Sequence, residues 1–146
     1  MMQKCELCCQ PHPQERWRSE HFYLLDASSG EFPCFLRLVS TRHVAEMSDL
    51  SEQERKEVWK LLNVIELEIR AALKPHKINL AQFGNMVPHV HWHVIARWQD
   101  DVYFPESPWG KRQREALPEE TQARRAALTA LLVELPAKLD AALSGE

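Results

Sequence analysis

The chain has 146 residues, 45% of them apolar, which suits one domain around one core and needs no disulfide to hold it. Its 18 basic and 21 acidic residues give a net charge of -3, which excludes a chain built chiefly to coat nucleic acid or an anionic membrane. There are only four glycines, against an average of about 7%, and no two lie close together, so neither G-x-G-x-x-G nor a P-loop can form.

No apolar run approaches the roughly 18 residues of a membrane span, and Met1 to Cys5 offers no apolar stretch of the signal-peptide kind. The expected compartment is the cytoplasm. There Cys5, Cys8, Cys9 and Cys34 are expected as thiols, metal ligands or core residues rather than disulfides.

In chain order, Arg18 to Ala27 reads as a strand ending in the turn Asp26 to Gly30, and Cys34 to Val39 as a second strand joined to it as a hairpin. Ser51 to Glu54 fits a capping box, and Val58, Leu61, Leu62, Ile65, Ile69 and Leu73 follow at helical spacing until Lys74-Pro75. Ile78 to Phe83 is a short strand, Gly84 to Pro88 a turn, and His89 to Trp98 a further strand. From Pro118, suited to a first helical position, a second helix carries Leu128, Leu131, Leu132, Leu135, Leu139 and Leu143, with Pro136 expected to kink or divide it. This order predicts an α+β fold: an antiparallel sheet of about five strands with one long helix and a C-terminal helix. One domain is expected over 1–146, with a cysteine-bearing segment at 1–16 and the last helix within 118–146.

The chemistry concentrates in His89 to Trp98. Alternation puts Val90, Trp92, Val94, Ala96 and Trp98 on an apolar face, and His89, His91, His93, Ile95 and Arg97 on the other. Three imidazoles on one face resist burial and serve as metal ligands, acids and bases, or nucleophiles; spacing alone does not choose among these. Upstream, Asn79, Gln82 and Asn85 supply carboxamides and no carboxylate, while Arg97 adds positive charge. Such a set suits an anionic substrate better than a metal-activated water.

The run His89-Val90-His91-Trp92-His93-Val94-Ile95 resembles the signature of the histidine triad (HIT) family. The likeness extends through Cys34 to His43, through Gly84-Asn85-Met86-Val87-Pro88 before the triad, and through Phe104-Pro105-Glu106 and Trp109 after it, in the manner of a bacterial branch. The resemblance implies a nucleotidyl hydrolase or transferase acting at the α-phosphorus of nucleoside phosphoramidates or dinucleoside polyphosphates, with a purine nucleotide or nucleotide conjugate as ligand. His91 maps onto the nucleophile, His93 onto a phosphate contact, and His89 completes the catalytic triad. Asn85, Gln82, Asn79, Arg97 and Trp109 are the candidate substrate contacts, Trp109 in a loop over the site.

No cofactor is expected for the chemistry itself. In zinc-bearing members a Cys-x-x-Cys pair is completed by two histidines, which map here onto Cys5, Cys8, His43 and His89, with Cys9 as a substitute ligand. The resemblance also implies a homodimer. Two departures bear on substrate: Met86 stands where many members carry Ser or Thr, and Cys34 or a neighbour stands where several carry a fourth histidine. Two alternatives stay open, a metal-dependent hydrolase using the three histidines as ligands and a nucleotide-binding module with little turnover.

Overall fold

The computed structural model describes residues 5–8 and 12–145. Its strands are β1 (Glu15–Arg18), β2 (Phe22–Asp26), β3 (Phe35–Ser40), β4 (Lys77–Gln82) and β5 (His91–Arg97). They form one antiparallel sheet in the order β1-β2-β3-β5-β4, with α1 (Glu52–Leu73) between β3 and β4 and α2 (Pro118–Leu143) after β5. This is the expected α+β fold.

Three local differences from the sequence expectations have physical causes. The first expected strand, Arg18 to Ala27, is found as β2, and its first residue closes a separate strand, β1, because Ser19 N–H bonds the Phe22 carbonyl at 2.7 Å and turns the chain between them. β1 has one buried residue, Trp17, among three charged ones, so apolar periodicity does not announce it. Pairing with β2 and a 2.9 Å bond from Trp17 Nε1 to Asp140 Oδ1 of α2 hold it in place. Finally, α2 is not divided at Pro136, for the buried Leu131, Leu135 and Leu139 on both sides of it belong to one core.

The sheet separates two tasks. Trp92, Val94 and Ala96 of β5 share a face with Leu36 and Leu38 of β3 and with Phe22 and Leu24 of β2, and both helices pack there. Six apolar residues of α1, from Val58 to Leu73, complete this core at the helical spacing the sequence displays. The opposite face carries His91, His93, Ile95 and Arg97, flanked on β3 by Val39, Arg37 and Phe35. Smaller clusters cover that face: Leu7 packs on Tyr23, Leu25 and Val39, while Phe32 packs on Phe35 and Ile95. Among the described residues no helix is long and apolar enough to cross a membrane.

The start of α1 is tied to the segment after β3. Ser51 Oγ accepts from Glu54 N–H at 3.1 Å and Ser51 N–H donates to Glu54 Oε1 at 2.7 Å, the capping box expected from sequence. Arg42 donates to both Glu54 carboxylate oxygens, at 3.0 and 2.6 Å. The Arg42 hydrogen bonds, with help from Ser51 and against the pull of burial, lower the Glu54 pKa to about 2. A carboxyl held below its ordinary value contributes stability that is fully present above that value and is lost as pH falls through the folded one. Glu54→Gln should therefore lose about 1–2 kcal/mol at pH 7, a figure reduced from about 1.36 kcal/mol per pKa unit because Arg42 is half exposed. Urea unfolding across pH should show the gap from wild type closing between about pH 4.5 and 2; a gap that ignores pH would contradict this assignment.

Candidate active site

β5 begins at His91, not His89. Pairing with β3 starts at Val39 opposite His91, while Val90 N–H bonds the Val44 carbonyl and Ser40 N–H bonds the Val90 carbonyl. The residues just before the strand are thus drawn toward the 40–44 segment. The expectation that three imidazoles stand in one row is corrected: His91 and His93 share the open face, and His89 turns to another site.

The His91 Nδ1–H donates to the His89 backbone carbonyl at 2.6 Å. That bond fixes the neutral tautomer and leaves the Nε2 lone pair available to the cavity the ring lines. His93 meets His91, Phe35 and Trp109 edge-on, at centroid distances of 5.0, 5.3 and 5.3 Å. Burial first, then the neighbouring His91 and Arg37, push its pKa down to about 4, so the ring is uncharged at neutral pH. Its buried Nδ1 has no hydrogen-bond partner among the described residues.

These rings open on a cavity of about 930 Å³. Of the candidate substrate contacts, Asn79, Asn85 and Trp109 line it, and Trp109 also meets the Phe83 ring at a centroid distance of 5.1 Å. Gly84 lines it too, with φ at 79°, a left-handed turn that glycine adopts without strain. Two expected contacts lie elsewhere. Gln82 pairs with Trp92 and so belongs to the helix-side face of the sheet. Arg97 is 2% exposed and committed to the protein: it donates to Asp101 at 2.7 and 3.1 Å, to Asn79 Oδ1 at 2.8 Å and to the Glu106 carbonyl at 2.8 Å. Asp101 in turn accepts backbone N–H bonds from Tyr103 and Phe104. This buried pair shapes the loop that carries Trp109. Cys34 is fully buried, and burial raises its thiol pKa to about 12, which makes it an inert core residue.

Sequence reasoning passed over Arg37 and Lys77, both on the cavity. For Arg37 the signal was available, a lone arginine inside the apolar run Cys34 to Val39 at a position in phase with Phe35 and Val39.

On the other side of the His89 backbone, Cys5, Cys8, His43 and His89 bring one donor atom each to within 4.8 Å of one another. His89 Nε2–H donates to the Ser40 carbonyl at 2.6 Å, leaving Nδ1 for the cluster. That Nδ1 lies 3.5 Å from each of Cys5 Sγ and Cys8 Sγ and 3.2 Å from His43 Nδ1, and His43 Nδ1 lies 3.2 Å from Cys8 Sγ. Bonds of about 2.3 Å to sulfur and 2.0–2.1 Å to nitrogen put the donors of a tetrahedral zinc roughly 3.3–3.8 Å apart. The donor set therefore fits zinc, with a backbone carbonyl orienting one ligand from behind. Burial is the largest effect on the His89 pKa and lowers it, which favours the neutral ring that binds a metal. Cys9, the suggested substitute, lies outside the described residues.

Residues 17–100, more than half of the chain, match the family model described as HIT domain. A stretch of 78 residues is 30% identical to the AP-4-A phosphorylase of Mycobacterium tuberculosis, covering 49% of this chain and 40% of that protein, so the match spans about two fifths of that relative. A histidine triad protein of Marinobacter aquaeolei VT8 is 27% identical with a TM-score of 0.66, over 83% of this chain and 89% of its own. A zinc-bound histidine triad family protein of Mycobacterium smegmatis, 18% identical, shares the fold with a TM-score of 0.58 over 89% and 96% of the two chains. The motif, the sheet that carries it and the family match agree: the chain belongs to the histidine triad family.

Proposed function

We propose that this chain is a nucleotidyl hydrolase or transferase in which His91 is the nucleophile. The observation that carries this reading is the bond from His91 Nδ1–H to the His89 carbonyl, which leaves Nε2 as the ring's one lone pair on a cavity large enough for a nucleotide. Nε2 attacks the α-phosphorus and the leaving group departs, giving a nucleotidyl-histidine. Water, or another acceptor, then enters on the face the leaving group vacated and releases the nucleotide. Splitting one difficult displacement into two is the gain of covalent catalysis.

In this reading His93 and Asn85 hydrogen-bond the phosphate oxygens, which is supported by the contact of the uncharged His93 ring with His91 and by the Asn85 carboxamide on the same cavity. Trp109 and Phe83 present apolar rings at the cavity mouth. The relative from Mycobacterium tuberculosis is named for a dinucleoside polyphosphate, in keeping with an α-phosphorus target. A single metal held by all three histidines has no support in this geometry, because the His89 ring faces Cys5, Cys8 and His43 while His91 faces the cavity.

His91→Gly should lower kcat/KM on diadenosine tetraphosphate by on the order of 10⁴-fold or more, and brief incubation of the wild type should yield an acid-labile nucleotidyl adduct that mass spectrometry places on His91. Turnover that survives loss of this imidazole would reject the mechanism. Absence of turnover with nucleotide binding retained would make the chain a binding module.

Cys5, Cys8, His43 and His89 are proposed to hold one structural zinc, as the Mycobacterium smegmatis protein of the same fold is zinc-bound. Such an ion would tie the Glu6–Cys8 turn to the segments bearing His43 and His89 and supply no step of the reaction. Elemental analysis of protein purified without chelators should find about one zinc per chain, and the Cys5→Ala, Cys8→Ala double variant should bind none and unfold at a lower temperature. Zinc-free wild type with unchanged stability would contradict the site.

The homodimer implied by family resemblance is proposed to form through α1 and the outer edge of β4, where Trp59 and Leu67 are 55% and 49% exposed and, among the described residues, no strand pairs with β4 beyond β5. Sedimentation equilibrium should return twice the chain mass, and a monomer at micromolar concentration would count against it.

A further inference from the structure

Arg37 sits at the middle of β3, a strand hydrogen-bonded on both sides, and its register partner on β5 is His93. Every other arginine of the chain meets an oxygen in a hydrogen bond or ion pair. Arg37 has no such partner among the described residues, and its Nε is buried. Arg37 lines the cavity, and its guanidinium carbon lies 5.6 Å from the Phe35 ring centroid. Glu6 lines the same cavity and forms no ion pair with it. A guanidinium half buried without a counter-charge costs stability that a hydrophobic residue on the same strand would not. Its position on the face that carries His91, opposite His93 on the neighbouring strand, makes it ready for an anion that none of the described residues supplies.

The leaving group identifies that anion. An amine departing from phosphorus must gain a proton, and Met86 of the loop before β5, a thioether 96% exposed on the cavity, has none to give. His93 is uncharged at neutral pH and carries no spare acidic proton. A phosphate departing from phosphorus leaves as an anion and needs a cation instead, best a planar fork that binds two oxygens at once.

Taking the nucleophilic role of His91 as its starting point, we propose that Arg37 is the specificity-determining residue that binds the phosphate next to the reacting one, so that the substrate class is a nucleotide joined through a phosphoanhydride rather than a phosphoramidate. In the first step the Nε2 lone pair of His91 forms the bond to the α-phosphorus while the bond from that phosphorus to the bridging oxygen breaks. The electron pair stays on that oxygen, which becomes a terminal oxygen of the departing polyphosphate, paired with Arg37. In the second step water oxygen bonds to the phosphorus, the electron pair of the nitrogen–phosphorus bond returns to Nε2, and the water proton goes to solvent. The ring ends as it began.

Two measurements on Arg37→Leu and Arg37→Lys test this. In the first, kcat/KM is compared on diadenosine tetraphosphate and on adenosine 5′-phosphoramidate. Arg37→Leu should lower the former about 10- to 100-fold, the range lost with one charged hydrogen-bonding partner, leave the latter within about threefold, and Arg37→Lys should fall between. An equal loss on both substrates, no loss on the polyphosphate, or a wild type that prefers the phosphoramidate overturns the proposal. In the second, calorimetry in a His91→Gly background compares affinity for ATP and AMP without turnover. Arg37→Leu should abolish a preference for ATP over AMP. If the wild type turns over neither substrate but that Arg37-dependent preference is present, the catalytic reading fails and the anion site stands; if Arg37→Leu leaves the ATP to AMP ratio unchanged, the anion site fails. Should Arg37→Leu not fold, Arg37→Lys carries the same comparison with a smaller expected change.

Discussion

One hydrogen bond organises the site: the His91 Nδ1–H held by the carbonyl of His89 at 2.6 Å. Without it the ring would exchange tautomers and rotate, and the reactive lone pair would spend part of its time on the wrong nitrogen. The carbonyl can hold the ring because residue 89 is itself fixed from three directions. Its N–H bonds the Val87 carbonyl at 2.8 Å, its Nε2–H bonds the Ser40 carbonyl, and its Nδ1 faces Cys5, Cys8 and His43. One residue thus joins the thiol and imidazole cluster to the candidate nucleophile, with its side chain serving the first and its backbone the second. Ordering of the cluster by a metal would reach His91 through a single peptide unit.

The second constraint is the division of the sheet into two faces. α1 and α2 cover one face, so the core and the chemistry do not compete for the same positions on β5. The open face is then free to carry groups that would be costly in a core, two imidazoles and two guanidiniums, provided each is satisfied or used. Arg97 is satisfied by Asp101, Asn79 and the Glu106 carbonyl, and that network holds the chain between β5 and Trp109. Arg37, level with His93 on the neighbouring strand, has no oxygen partner among the described residues and lines the cavity.

Much of this was legible in the residues. The alternation from Val90 to Trp98 gave the core face of β5 and the placement of His91 and His93, and Ser51 with Glu54 located the start of α1 to the residue. What was not legible depended on partners distant in sequence. β1 carries a single buried residue, so its existence rests on pairing with β2 and on Asp140, 123 residues from Trp17. His89 obeys the period of the strand in sequence and leaves it in space, because Val44 and Ser40 claim the backbone around it. Arg97 and Arg37 are indistinguishable as arginines on one face; Asp101, folded back four residues on, with Asn79 and the Glu106 carbonyl, holds the first, while the second has no oxygen partner among the described residues.

The central claim is that the neutral His91 ring carries its proton on Nδ1 and offers Nε2 to the substrate. Nitrogen-15 NMR of the imidazoles at pH 8, assigned by comparison with His91→Gly, tests it most directly. The His91 Nδ1 should give the signal of a protonated, hydrogen-bonded nitrogen with slowed proton exchange, and Nε2 that of an unprotonated one. A ring protonated at Nε2, or one exchanging rapidly between the two tautomers, would contradict the claim.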